Sequence, residues 1–192
     1  MTELVAALPT GTPLGVERNY TLEAWVFLDE LEDGFIVGRS INDETLAGLR
    51  IASGGTQLQF NHQSGPGMTA SVLMTDLGIP KNSWFHVAGV LDNGTMRLYI
   101  DGTEVASQAA LGALDHHSEE QFTIGNTIKS DEETWLDGLS GALTQVRVWS
   151  RSLSGEELRE NAVGVLSGDE TGLVAYWPCD EGTGPEVRDR GP

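Results

Sequence analysis

Cysteine is almost missing from this sequence. Cys179 stands alone among 192 residues, which excludes an internal disulfide and any metal site built from several thiolates. Positive charge is scarce too: 11 Lys and Arg against 29 Asp and Glu leave a net charge of −18. Such a field repels nucleic-acid phosphates and anionic lipid headgroups, so neither nucleic acid nor a membrane surface is an expected partner. No apolar run approaches transmembrane length. The opening MTELVAALPTGTP lacks the basic start and apolar core of a signal peptide. Charged residues, at 21%, are also too few for a disordered chain.

Glycine and alternation are what the sequence has. The 24 glycines sit between short apolar runs, a spacing that suits many turns joining many strands. In YTLEAWVFL (20–28), Leu22, Ala24 and Val26 share one side, while Glu23 and Trp25 share the other. GFIVGRS, AGLRIAS and QLQFNHQ read as further strands. In WFHVAGVL (84–91) both alternating sets are mostly apolar, which predicts a central strand covered on both faces. Asp92-Asn93-Gly94 and Asp101-Gly102 then divide VLDNGTMRLYIDGTEVA into a three-stranded meander, because Asn-Gly and Asp-Gly supply the positive φ of tight hairpin turns. A phosphate-cradling loop would open a helix, and none follows. QFTIGN, GALTQVRVWS and GLVAYWP add strands.

One segment, SGEELREN, reads as helix near 155–163. Ser154 and Glu157 form a capping box, with Leu158 and Ala162 on one face. Many short strands and one short helix predict an all-β fold, a two-sheet antiparallel sandwich or jelly roll.

YTLEAWVF, WFHVAGVLDNGTMRLYIDGTEVAS, FTIGN, LSGALTQVRVWSRSLSGEEL and GLVAYWPCDEGTG occur here in the order found in laminin G-like jelly rolls. The chain resembles the bacterial and pentraxin-like branch of these domains, within the concanavalin A-like lectin/glucanase superfamily, over residues 20–190. The resemblance implies a single domain over 1–192, with 1–19 as lead-in and 179–192 as a tail or a lead-in to a following domain. It also implies a module of a larger secreted or cell-surface protein.

The chemistry expected of such a module is recognition rather than catalysis. Glycan-cleaving relatives carry Glu-x-Asp-x-(x)-Glu on one strand, which sets two carboxylates on one face; no such string exists here. The acidic clusters DELED (29–33), NDE (42–44) and SDEE (130–133) fall between strands. Those clusters either keep the surface soluble or hold Ca²⁺, which takes six to eight oxygen ligands. By resemblance to the pentraxin-like relatives, Asn42 and Asp43 stand in one calcium loop and Asp137 in a second, with Asp131 near it. Thr127, Ile128, Lys129, Thr144 and Gln145 depart from that pattern. A sugar needs an exposed aromatic plane with polar groups beside it. Trp135 is the tryptophan placed in a loop, and Asn61, His62 and Gln63 offer a polar rim. Trp25, Trp84, Trp149 and Trp177 lie on strands and are expected in the core. The function expected is non-catalytic binding of a glycan or protein, with a ligand-free structural spacer as the alternative and a glycoside hydrolase of the same fold as a weaker one.

Overall fold

A computed structural model of the chain describes residues 18–41, 44–76, 78, 80–113, 121–128, 135–136, 138–182 and 187–192. The first half runs through β1 (Asn19–Leu28), β2 (Gly34–Ile41), β3 (Glu44–Ala52), β4 (Gln57–His62) and β5 (Ser71–Thr75). The meander follows as β6 (Trp84–Asp92), β7 (Thr95–Ile100) and β8 (Thr103–Ala109). Then come β9 (Gln121–Ile124), β10 (Thr127–Ile128), β11 (Trp135–Leu136), β12 (Gly141–Trp149), α1 (Gly155–Val163) and β13 (Leu173–Trp177).

These strands make two antiparallel layers. One has the order β13-β12-β1-β6-β7-β8 and the other β5-β4-β3-β2-β9, with β10 and β11 as a separate hairpin. Among the described residues the layers hold six and five strands. Alternation decides what goes between them. Leu22, Val26, Phe85, Leu98 and Val148 point inward from one sheet and Val37, Leu49, Leu58 and Phe60 from the other, each almost fully buried. Burying one such side chain contributes about 1.5–3 kcal/mol.

The turn reading holds in detail. Asn93 and Gly94 have φ of 45° and 81°, and Asp101 and Gly102 have 49° and 69°, as the two tight turns of the meander require. The strand β6 is central and lined on both faces. Its outward residues Ala88 and Val90 join a second apolar cluster with Tyr99, Trp149, Leu153, Leu158, Leu173 and Tyr176. That cluster lies under α1, whose capping box forms as expected: Ser154 Oγ accepts from the Glu157 N–H, and the Glu157 carboxylate accepts from the Ser154 N–H.

One strand, β5, had no clear signal in the sequence. Val72 and Met74 face solvent at 38% and 46% exposure while Ser71 and Thr75 point inward, so its polarity is inverted relative to an ordinary half-buried strand. Residues 189 and 190 lie along β13. The Arg190 N–H donates to Tyr176 O at 2.7 Å, and the Tyr176 N–H donates to the Asp189 carboxylate at 2.9 Å. A side-chain oxygen there replaces a strand partner, which blunts the β13 edge.

Candidate functional site

The outward face of the six-stranded sheet carries most of the chemistry. Since Leu22, Ala24 and Val26 face the interlayer core, Glu23, Trp25 and Phe27 must face out. Register then sets His86 opposite Trp25 and Trp84 opposite Phe27. The helix covers only part of this face. Its last turn is held above Trp25, whose indole N–H donates to Ala162 O at 3.0 Å. Beyond that point Phe27 and Trp84 emerge from under the cover.

Trp84 is 47% exposed and Phe27 is half-buried beneath it, with ring centroids 5.6 Å apart and planes inclined at 53°. The expectation that Trp84 lies in the core is therefore corrected: it opens its strand past the reach of α1, directly after the polar residues Lys81, Asn82 and Ser83. Trp25 is only partly buried, whereas Trp149 and Trp177 are core, as expected. Three loops frame the Trp84–Phe27 step. The Asn82 N–H donates to Leu28 O at 2.9 Å, the Asp29 N–H donates to Ser140 O at 3.0 Å, and Lys81 pairs with Glu30 at 2.5 Å. This arrangement offers an aromatic plane with polar neighbours at one end of the sandwich.

Under α1 lies a sealed ionic hub. Glu23 is 0% exposed. Its Oε1 accepts from Trp149 Nε1 at 2.9 Å, from Asn161 Nδ2 at 3.1 Å and from the Arg147 guanidinium at 3.4 Å. Oε2 lies 3.2 Å from His86 Nε2. Arg147 also donates to Asn161 O and Gly164 O, the open carbonyls at the helix end, at 2.9 and 3.2 Å. Burial pushes the Glu23 carboxyl up, but His86, the Arg147 charge and the Trp149 N–H together outweigh it and hold the group below its usual range. The hub faces no solvent, so it fastens the helix rather than meeting a ligand.

Asn61, His62 and Gln63 do not form one rim. Asn61 stands on the outward face of β4, partly buried, and accepts from Gln59 Nε2 at 2.5 Å. Gln63 is buried and donates to Gly65 O at 2.9 Å and to the Glu44 carboxylate. His62 points into the core at 0% exposure. Its Nε2 lies 3.3 Å from Gly112 O and must donate, since a carbonyl only accepts. Nδ1 therefore accepts from the Tyr20 hydroxyl, 3.1 Å away.

Burial pushes the His62 ring below the ordinary histidine value of 6.5, with the Gly112 carbonyl opposing. On acidification the unfolded chain takes up this proton before the folded one, so stability falls as pH drops from neutral through 6.5. Urea unfolding of wild type is expected to show that decline between about pH 7.5 and 5.5 (about one unit either side of the ordinary value), and His62→Gln is expected to flatten it. Cys179 is partly buried, and its thiol is pushed up to about 12 by burial and by the Glu181 and Asp180 carboxylates, which leaves it a poor nucleophile at neutral pH.

The calcium residues Asn42, Asp43, Asp131 and Asp137 lie outside the described residues, and for Trp135 only the backbone, in β11, is described. Their described flanks are informative. Ile41 and Glu44 close one end of β2 and β3. Gly125, two residues before β10, donates to Ile36 O, and Leu139 lies against Gly34 at the other end of β2. Ile41 and Gly34, the described residues beside these flanks, are the opposite ends of β2. Among the described residues no three metal-binding side chains cluster.

Two facing antiparallel layers with a capped helix on the outside define a concanavalin A-like β-sandwich. The family model Laminin_G_3, of the concanavalin A-like lectin/glucanases superfamily, matches residues 4–159, and the chain belongs to that family. Comparison with curated proteins finds no match. Among solved structures, a candidate carbohydrate-binding protein from Bacteroides ovatus is similar with a TM-score of 0.72 and 23% identity, over 96% of this chain and 52% of that one. This chain thus spans about half the length of that protein. A heptameric SAP-like pentraxin from Limulus polyphemus is similar with a TM-score of 0.60 and 16% identity, over 83% of this chain and 76% of that one. Domain 4 of AbnA, an extracellular arabinanase from Geobacillus stearothermophilus in complex with arabinotriose, is similar with a TM-score of 0.53 and 18% identity, over 82% of this chain and 72% of that one. At these identities the likenesses establish the fold.

Proposed function

We propose that this chain is a non-catalytic glycan-recognition module of a longer secreted or cell-surface protein, and that the sugar stacks on Trp84. The observation that carries the reading is the exposure of Trp84 over Phe27 between three polar loops. A sugar presents an apolar C–H face that packs on an indole, while its hydroxyls need hydrogen-bonding groups at the ring's edge. Asp29, Glu30, Lys81 and Asn82 stand beside the step and can meet them. Carbohydrate appears in the names of two of the similar structures, the Bacteroides ovatus protein and the arabinotriose complex of the arabinanase domain, which supports the reading. So does the chemistry of the interior. Among the described residues Glu23 is the one buried carboxylate, and it is spent on holding the helix.

The test is titration of neutral and charged oligosaccharides, followed by tryptophan fluorescence. Trp84→Ala is expected to weaken any binding at least tenfold (about 1.4 kcal/mol). Its unfolding midpoint is expected to stay near wild type, because surface changes usually cost within about 0.5 kcal/mol. The same titrations in Ca²⁺ and in chelator read whether a metal contributes. A glycan array that is blank in both conditions would leave the chain a structural spacer and remove the proposal.

A further inference from the structure

We infer that two copies of this chain pair edge to edge through β5, as an antiparallel two-fold dimer centred on Leu73. The inference is independent of the glycan reading and starts from a gap in the charge. Residues 51–75 contain no Asp, Glu, Lys or Arg, in a chain that is 21% charged and carries −18 overall. That tract supplies β4, β5 and the loop between them. The end of β8 and the residues after it (105–113) are uncharged as well. This neutral flank holds Met68, Val72, Met74 and Leu111, four of the eight large hydrophobics exposed among the described residues. Leu111 reaches β5 through its N–H, which donates to Ser71 Oγ at 2.8 Å. The Glu44 and Asp76 carboxylates at the margins are held by the Gly67 N–H and by Gln57 Nε2. Two copies at −18 repel wherever their carboxylates approach, so a neutral apolar flank is where they can meet.

The backbone of β5 is open on this flank. Bonds alternate along an antiparallel pair, and Val72 O accepts from Gln108 Nε2 at 2.8 Å on the side away from β4. Ser71, Leu73 and Thr75 therefore turn their backbone groups to β4, and Val72 and Met74 turn theirs outward. Gln108 leaves the second lone pair of Val72 O for another donor. Among the described residues no further strand lies along that edge. Other edges are less suited, since β13 is blunted by Asp189 and β8 carries the exposed Glu104. A two-fold axis at Leu73 sets Val72 opposite the partner's Met74, and Met74 opposite the partner's Val72. Each such pair exchanges two N–H···O bonds, and four apolar side chains meet on the outer face. Asp76 then comes beside the partner's Ala70, so no carboxylate on the edge meets another.

Sedimentation equilibrium of the wild-type chain is expected to show a reversible monomer–dimer equilibrium. Its Kd should be roughly tenfold tighter in about 0.5 M than in about 0.05 M salt, because salt screens the repulsion between the two negative bodies. Met74→Lys puts a cation on the edge, a device that blocks strand pairing. It should leave the chain monomeric, with an unfolding midpoint near wild type. Val165→Lys places the same charge on an exposed apolar residue outside the neutral tract and should leave the dimer intact. Cysteine pairing reads the register. The Cα atoms of a bonded pair lie about 5.5 Å apart, within disulfide range. Under mild oxidation, Val72→Cys mixed with Met74→Cys should yield a crosslinked dimer, and neither variant alone should. A chain that stays monomeric at about millimolar concentration in high salt would overturn the pairing. So would loss of the dimer in Val165→Lys, its survival in Met74→Lys, or crosslinking of Val72→Cys alone to the extent of the mixture.

Discussion

Glu23→Ala is expected to lower the unfolding free energy by about 3–5 kcal/mol, the cost of breaking a buried ion pair from one side. The reason lies in what is left behind. Arg147, at 0% exposure, would keep its bonds to the helix-end carbonyls but lose the only described carboxylate beside it. Trp149 Nε1 and Asn161 Nδ2 would lose their shared acceptor. Native domains are stable by only about 5–15 kcal/mol, so a change of this size takes much of the margin. Denaturant midpoints read it directly. Glu23→Gln keeps the shape but not the charge and should fall between wild type and Glu23→Ala. The double replacement Glu23→Leu with Arg147→Met removes both charges, and is expected to recover most of the loss, since apolar pairs often match a buried salt bridge. If Glu23→Ala proves neutral, the hub does not hold the helix. Because the Glu23 carboxyl is held below its ordinary value of 4.5, its contribution is present at neutral pH and is lost as pH falls below that value.

Phe60→Ala is expected to cost about 3–5 kcal/mol through lost burial and the cavity left behind. Phe60 is 0% exposed, meets Tyr20 edge-on at 5.9 Å, and crosses from one sheet to Gly89 on the other. A Cβ built at Gly89 would sit 2.7 Å from the Phe60 ring. Gly89→Ala should therefore destabilise the wild type, because the ring has to move within a close-packed layer. In the Phe60→Ala background the same methyl enters the vacated space and should stabilise. The two effects thus differ in sign, a coupling of about 1 kcal/mol or more in a double-mutant cycle. Additive effects would show that Phe60 and Gly89 do not share one packing site.

Local rules carried the sequence reading where local chemistry decides structure. The turns at Asn93-Gly94 and Asp101-Gly102 need positive φ, and that requirement is written in the residue types. The capping box of Ser154 and Glu157 is equally local. Alternation in β1, β4 and β6 sorted the interlayer core correctly. It was uninformative in β5, where Leu73 turns inward with Ser71 and Thr75 while Val72 and Met74 look out.

The site was less legible. Asn61, His62 and Gln63 are adjacent in sequence, yet His62 is driven into the core by the period of two, with Tyr20 and Gly112 waiting from distant segments. Trp84 looked like core because it begins an apolar strand. Its exposure depends on where a helix seventy residues later happens to end.

By itself, then, the amino-acid order determined strands, turns, the capped helix and the family, because each follows from residue type, spacing or a continuous motif. Only the tertiary structure decided that Glu23, His86, Arg147 and Asn161 converge, and that Trp84 stands clear of the cover above Trp25. Those outcomes depend on strand register and on the docking of α1 across the sheet, and both are set by contacts between segments far apart in the chain.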